Sequence, residues 1–114
     1  MKLLIIFDKD IRISPEKVCV HIGHSTREIG IKTFGTCEYV EWDCNSFKTV
    51  LLRDKITESI IFKVKDFEYY YEIYDAGLDE VFEAGTILGY AVLVPSNDVT
   101  FKRLRTLKFG ISNE

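Results

Sequence analysis

An ammonium, an imidazole, a carboxylate and a hydroxyl occur in order along this chain at Lys17, His24, Asp75 and Thr86. These are the groups from which a metal-free hydrolytic site can be built. Lys17 and His24 fall on one face of a predicted helix. Asp75 opens an Asp75-Ala76-Gly77 turn that leads into the strand-like run Thr86-Ile87-Leu88-Gly89.

The elements that must position these groups can be read from apolar spacing. Residues 3–7 form a short continuous apolar run, as expected of a strand buried on both faces. Ser14-Pro15-Glu16 has the chemistry of a helix start: a capping hydroxyl, a proline pre-set for the first turn, and an acid that suits the helix dipole. That helix is predicted to run to about Gly30, burying Val18, Ile22, Ser25 and Ile29, with Lys17, His21 and His24 on an adjacent polar stripe. Residues 31–46 read as a short helix or packed loop. Residues 49–52 read as a second strand, and Asp54 as the cap of a helix with Ile56, Ile60, Val64 and Phe67 on its apolar face.

Residues 69–74 are aromatic and β-prone, and Tyr69, Tyr70, Tyr71 and Tyr74 read as core and sheet-face residues. Residues 87–94 are nearly all apolar, which suits a central strand that Pro95 ends. Ser96 to Asp98 then start a predicted closing helix that buries Phe101, Leu104 and Leu107. Alternation of strands and helices implies one α/β domain, a small mixed sheet with helices on both faces.

The chain has 114 residues, 46% hydrophobic, 13% aromatic and 29% charged, which fits one folded domain and excludes disorder. Its opening apolar run is too short for a signal-peptide core or a membrane span, so a cytoplasmic protein with no membrane partner is expected. Cys19, Cys37 and Cys44 suggest reduced thiols; His21, His24, Cys37 and Cys44 could in principle make a two-His, two-Cys zinc site, but the gap between the cysteines does not match zinc-finger spacing. Net charge is −3 but unevenly distributed. Residues 66–98 carry Asp66, Glu68, Glu72, Asp75, Asp79, Glu80, Glu83 and Asp98 and no cation, while residues 99–109 carry Lys102, Arg103, Arg105 and Lys108 and no acid. The basic segment could meet a phosphate backbone, or simply form a solvated face.

Asp10-Ile11 before the helix, Lys17-Val18 in its first turn, and His24 two turns on resemble the opening of the archaeal and eukaryotic type of peptidyl-tRNA hydrolase. Tyr74-Asp75-Ala76-Gly77, Val81 and Thr86-Ile87-Leu88-Gly89 resemble that family's Asp-Ala-Gly turn and Thr-Val-Leu-Gly strand, and Leu107-Lys108-Phe109 its closing helix. The likeness spans almost the whole chain in the same order. It implies a three-layer α/β/α domain with a four-stranded mixed sheet, often dimeric, that hydrolyses the ester joining peptide to tRNA without metal or other cofactor.

The resemblance further implies catalytic roles for Lys17, His24, Asp75 and Thr86. Asp75 would orient a water, Lys17 would hold the acid ionised or steady the oxyanion, and Thr86 and His24 would position water and substrate. Arg27, Lys102, Arg103 and Arg105 are the candidate tRNA contacts. A first-turn lysine faces the positive end of the helix dipole, so Lys17 needs a carboxylate such as Asp75 nearby. The alternative reading makes Lys17 a solvated lysine, His24 a satisfied interior histidine and Asp75 a turn former. Two other functions fit the sequence: a non-catalytic module that binds RNA through those cations or a protein through the aromatic strand, and a hydrolase or transferase whose acidic 75–83 segment faces a cationic or metal-bound ligand.

Overall fold

The computed structural model describes residues 1–75 and 85–108. Ala76, Gly77, Asp79, Glu80, Val81, Glu83 and Phe109 therefore lie outside the described residues. In chain order the elements are β1 (Lys2–Asp8), α1 (Pro15–Thr33), α2 (Cys37–Cys44), β2 (Thr49–Asp54), α3 (Glu58–Lys65), β3 (Tyr70–Tyr74) and β4 (Ile87–Val94). The strands form one mixed sheet in the order β2-β1-β4-β3. β1 and β2 run parallel, and β4 runs antiparallel to both β1 and β3.

The strand period sorts β1 into two cores. Leu3, Ile5 and Phe7 pack with Val18 and Ile29 of α1 and Trp42 of α2, whereas Leu4 and Ile6 face Val64 of α3 and Phe101. Helices thus cover both faces, as the alternation of elements implied. Burial on both faces explains why β1 and β4 read as continuous apolar runs. At the sheet centre a side chain on Gly89 would overlap the Ile6 carbonyl, so only glycine allows β1 and β4 to approach this closely.

Each helix starts on a hydroxyl. Ser14, Thr36 and Thr57 accept the amides of Lys17, Tyr39 and Ile60. Asp54 is therefore not the α3 cap. Its carboxylate instead accepts the amides of Lys55 and Arg105, at 2.8 and 3.1 Å. α1 continues past Gly30 to Thr33 because Gly30 stays helical, and the left-handed Gly35, at φ 86°, follows the helix end. On α1 the buried stripe is Val18, His21, Ser25, Ile29 and Thr33; Ile22 is only half-buried and His21 takes its expected place.

Among the described residues the predicted closing helix is absent. Residues 99–104 form successive turns, with Lys102 donating to Val99 and Leu104 to Phe101, and these i to i+3 turns reproduce the three-residue spacing that reads as helix. Beyond them Arg53 donates to the Arg105 carbonyl at 2.8 Å and Leu107 to the Leu51 carbonyl at 2.9 Å. Leu52 and Thr106 form an antiparallel bridge, so the segment seals the outer edge of β2. Phe101 and Leu104 reach the α3-side core, and Leu107 packs against the core on the α1 side. Tyr69, Tyr70 and Tyr71 are half-buried against the cores as expected, whereas Tyr74 is 49% exposed. Among the described residues no helix is long and apolar enough to cross a membrane.

Candidate active site

Three chain segments meet at the end of the sheet where β1 and β3 finish and β4 begins. The Ser14 cap fixes the first turn of α1 and with it Lys17. Asp75 follows β3, and its backbone is tied to the start of β4: its amide donates to the Thr86 carbonyl at 2.9 Å, and its carbonyl accepts the Gly85 amide at 2.8 Å. These bonds hold Asp75 and Thr86 side by side. The register of β3 also shifts between Ile73 and Tyr74, just before the carboxylate.

Lys17 Nζ stands 3.9 Å from Asp75 Oδ1. That distance is an electrostatic contact and too long for a direct hydrogen bond. Asp75 is only 3% exposed, while the Lys17 side chain retains 35% of its accessible surface. A buried carboxylate is costly without a compensating cation, and an ammonium near a helix N-terminus is costly without an anion. Each group offsets the other's penalty. Lys17 is therefore paired, not merely solvated, and Asp75 is more than a turn former.

The two histidines, expected together on one polar stripe, differ in burial. His24 is exposed, so it is neither an interior histidine nor the imidazole closest to the core. His21, one turn after Lys17 on the same face, is 7% exposed and meets His24 edge-on with ring centroids 5.8 Å apart. Burial, then the neighbouring His24, lower the His21 pKa; Asp75 opposes this and Lys17 adds to it. His21 is thus held as a neutral imidazole near neutral pH, able to donate at one nitrogen and accept at the other. The lowered value also means that the unfolded chain takes up a proton more readily as pH falls below the ordinary 6.5, so this group withdraws stability in acid. Only its place four residues after Lys17 pointed to His21 in the sequence.

The four candidate tRNA contacts separate into three places. Arg103 and Arg105 line one open hollow together with Lys108 of the same basic segment and with Lys9 and Arg53, neither of which stood out as a substrate contact in the sequence. Lys102 lines a second hollow beside Lys63 and Phe101, and Arg103 lies on the rim of both. Arg27 projects from α1 with its guanidinium 3.5 Å from Glu28. Topology gathers these cations: Lys9 follows β1, Arg53 lies near the end of its parallel neighbour β2, and residues 103–108 run along β2. A smaller cavity of about 170 Å³ shares Arg53 and Lys108 with the hollow and is otherwise lined by apolar groups, including Phe7, Ile13 and Val18. It reaches the start of α1 through Pro15 and Val18, the residue after Lys17.

Cys19, Cys37 and Cys44 are exposed free thiols. Among the described residues no group of three or more histidine, cysteine, aspartate or glutamate side chains converges as metal ligands, so His21, His24, Cys37 and Cys44 do not form a zinc set. No protein-family model and no curated protein matches this chain.

Proposed function

We propose that the protein hydrolyses the ester bond of peptidyl-tRNA in the cytoplasm, releasing peptide and free tRNA. The observation that carries this reading is the contact between Lys17 and the buried Asp75, with Thr86 tied to Asp75 through the backbone. In this reading Asp75 accepts a hydrogen bond from a water and orients it toward the ester carbonyl carbon. As the carbon–oxygen bond forms, negative charge grows on the carbonyl oxygen, and the Lys17 ammonium stabilises it. Collapse of that intermediate expels the ribose oxygen, which takes up the proton that the attacking water loses. In this reading the buried His21, one turn after Lys17, shares with His24 the positioning role that the resemblance gave to His24 alone, and Thr86 helps position the water.

The hollow lined by Lys9, Arg53, Arg103, Arg105 and Lys108 suits the phosphate backbone of the tRNA. It also favours a second reading, an RNA-binding module on the same fold without turnover. Release of peptide from an N-blocked aminoacyl-tRNA, measured without metal in the parent, Lys17→Ala and Asp75→Asn proteins, separates the two. Turnover that drops by roughly a hundredfold or more in both variants supports hydrolysis. An inert parent that still binds the tRNA moves the second reading to the front.

A further inference from the structure

β3 is the outer strand on the side of the sheet opposite β2, and its backbone ladder shows which groups it leaves unpaired. The Leu93 amide donates to the Tyr69 carbonyl at 3.0 Å, so Tyr69 faces β4. By the alternation of an antiparallel ladder, Tyr71 and Ile73 also turn their backbone groups to β4, while Tyr70 and Glu72 turn theirs outward. Lys32 confirms the direction: its ammonium leaves α1 to donate to the Tyr70 carbonyl at 2.7 Å. Among the described residues no other strand pairs with this edge.

The surface beside the edge has a definite character. Glu28, Glu68 and Glu72 line a hollow with tyrosine rings 69–71 and 74, and Lys32 is the single cation in that lining. Glu28 is partly offset by Arg27, but among the described residues Glu68 and Glu72 have no cation within ion-pair distance. The hydroxyl pKa of Tyr69 is raised by burial and then by Glu68 and Glu38, and that of Tyr71 by burial and then by Tyr74 and Glu28.

We propose that the outer edge of β3 binds an extended cationic segment of a partner protein as an added strand. Its backbone pairs with the outward groups of Tyr70 and Glu72, its Lys or Arg side chains lie toward Glu28, Glu68 and Glu72, and it displaces the Lys32 ammonium from the Tyr70 carbonyl. A second copy of this chain fits less well. A two-fold pairing of β3 with itself would set like carboxylates against one another, and the β2 edge of another copy is already occupied by residues 105–107. This site does not depend on the hydrolase reading, because it uses neither Lys17 nor Asp75.

The test adds end-blocked peptides of alternating residues to the whole isotope-labelled protein and follows its backbone amides by NMR. A lysine–valine peptide is expected to bind saturably and to slow hydrogen exchange at the Glu72 amide. Methylating the peptide's backbone nitrogens, or replacing its lysines by glutamates, is expected to weaken binding by roughly tenfold or more while leaving the protein untouched. A Glu68→Gln/Glu72→Gln protein should bind the lysine peptide several-fold more weakly. The proposal fails if N-methylation has no effect, if the shifts map to residues 103–108, or if no binding occurs at millimolar peptide. Protection of the Glu72 amide that depends on protein concentration without peptide would instead assign the edge to a second copy.

Discussion

The two edges of the sheet are made of the same unpaired amides and carbonyls, yet the chain treats them in opposite ways. At β2 the protein supplies its own partner: Arg105 and Leu107 take backbone bonds with Arg53 and Leu51, and the cations beside them line a basic hollow. At β3 the only described cover on the outward groups is one lysine side chain, among glutamates and tyrosines. A chain segment closes an edge permanently because it is anchored elsewhere in the fold; a single side chain closes it reversibly. The comparison assigns the closed edge a structural task, holding cations in place, and the open edge a recognition task.

The largest expected effect on this contrast comes from the anchor of the closing segment. Phe101 is buried in the α3-side core and lies 6.0 Å from Phe67, ring centre to ring centre. Phe101→Ala is expected to cost about 3–4 kcal/mol in a denaturant titration. Hydrogen exchange should quicken at the Arg53 and Leu107 amides more than at the amides of β4. Equal loss of protection across the sheet would show that the segment does not act as a separate clamp on β2.

A smaller effect is expected at Asp54, where the clamp is held by charge. Hydrogen bonds from the amides of Lys55 and then Arg105 lower its pKa below the ordinary 3.8, with the Arg105 and Lys9 charges adding to them. The folded state therefore binds this proton less readily than the unfolded chain does. The stability Asp54 contributes is fully present above pH 3.8 and is lost as pH falls below it through the lowered folded value. Because the carboxylate is partly exposed, Asp54→Ala should cost only about 1 kcal/mol at neutral pH. The gap between parent and variant should narrow in acid, as read from urea midpoints at pH 7 and pH 3. An undiminished gap at pH 3 would mean that the carboxylate's charge is not what holds residue 105.

These expectations also mark where the sequence was readable and where it was not. β1, β4 and the start of α1 were legible because their signals are local: continuous apolar runs and the Ser14-Pro15-Glu16 cap. The need of Lys17 for an acid was legible from its position on the helix dipole, and Asp75 meets it. The 99–107 segment was misread because consecutive three-residue turns place apolar side chains at helical spacing. Asp54 was misread because a carboxylate at a strand end looks the same whether it caps the next helix or holds an amide from a distant segment. The choice between His21 and His24 was hidden because they lie three residues apart on one helix, and only packing against the sheet decides which is buried. The same limit kept Lys9 and Arg53 apart from Arg103 and Arg105, since parallel pairing of β1 with β2 is what joins them.

The smallest expected effect on stability lies at the open edge, and its smallness gives it value. Lys32 is exposed, donates to the Tyr70 carbonyl, and holds its ammonium 5.9 and 5.7 Å from the Tyr70 and Tyr71 ring centres. One exposed hydrogen bond and weak cation–π attraction are worth little in water, so Lys32→Ala should change the unfolding free energy by no more than about 1 kcal/mol. Its effect on recognition should be larger in kind. Removing the ammonium frees the Tyr70 carbonyl and deletes the one cation in the hollow's lining, so a lysine–valine peptide should bind several-fold more tightly. If Lys32→Ala instead destabilised the fold as much as Phe101→Ala, the lysine would be a clamp of the same kind as residues 105–107, and the two edges would differ only in the length of what closes them.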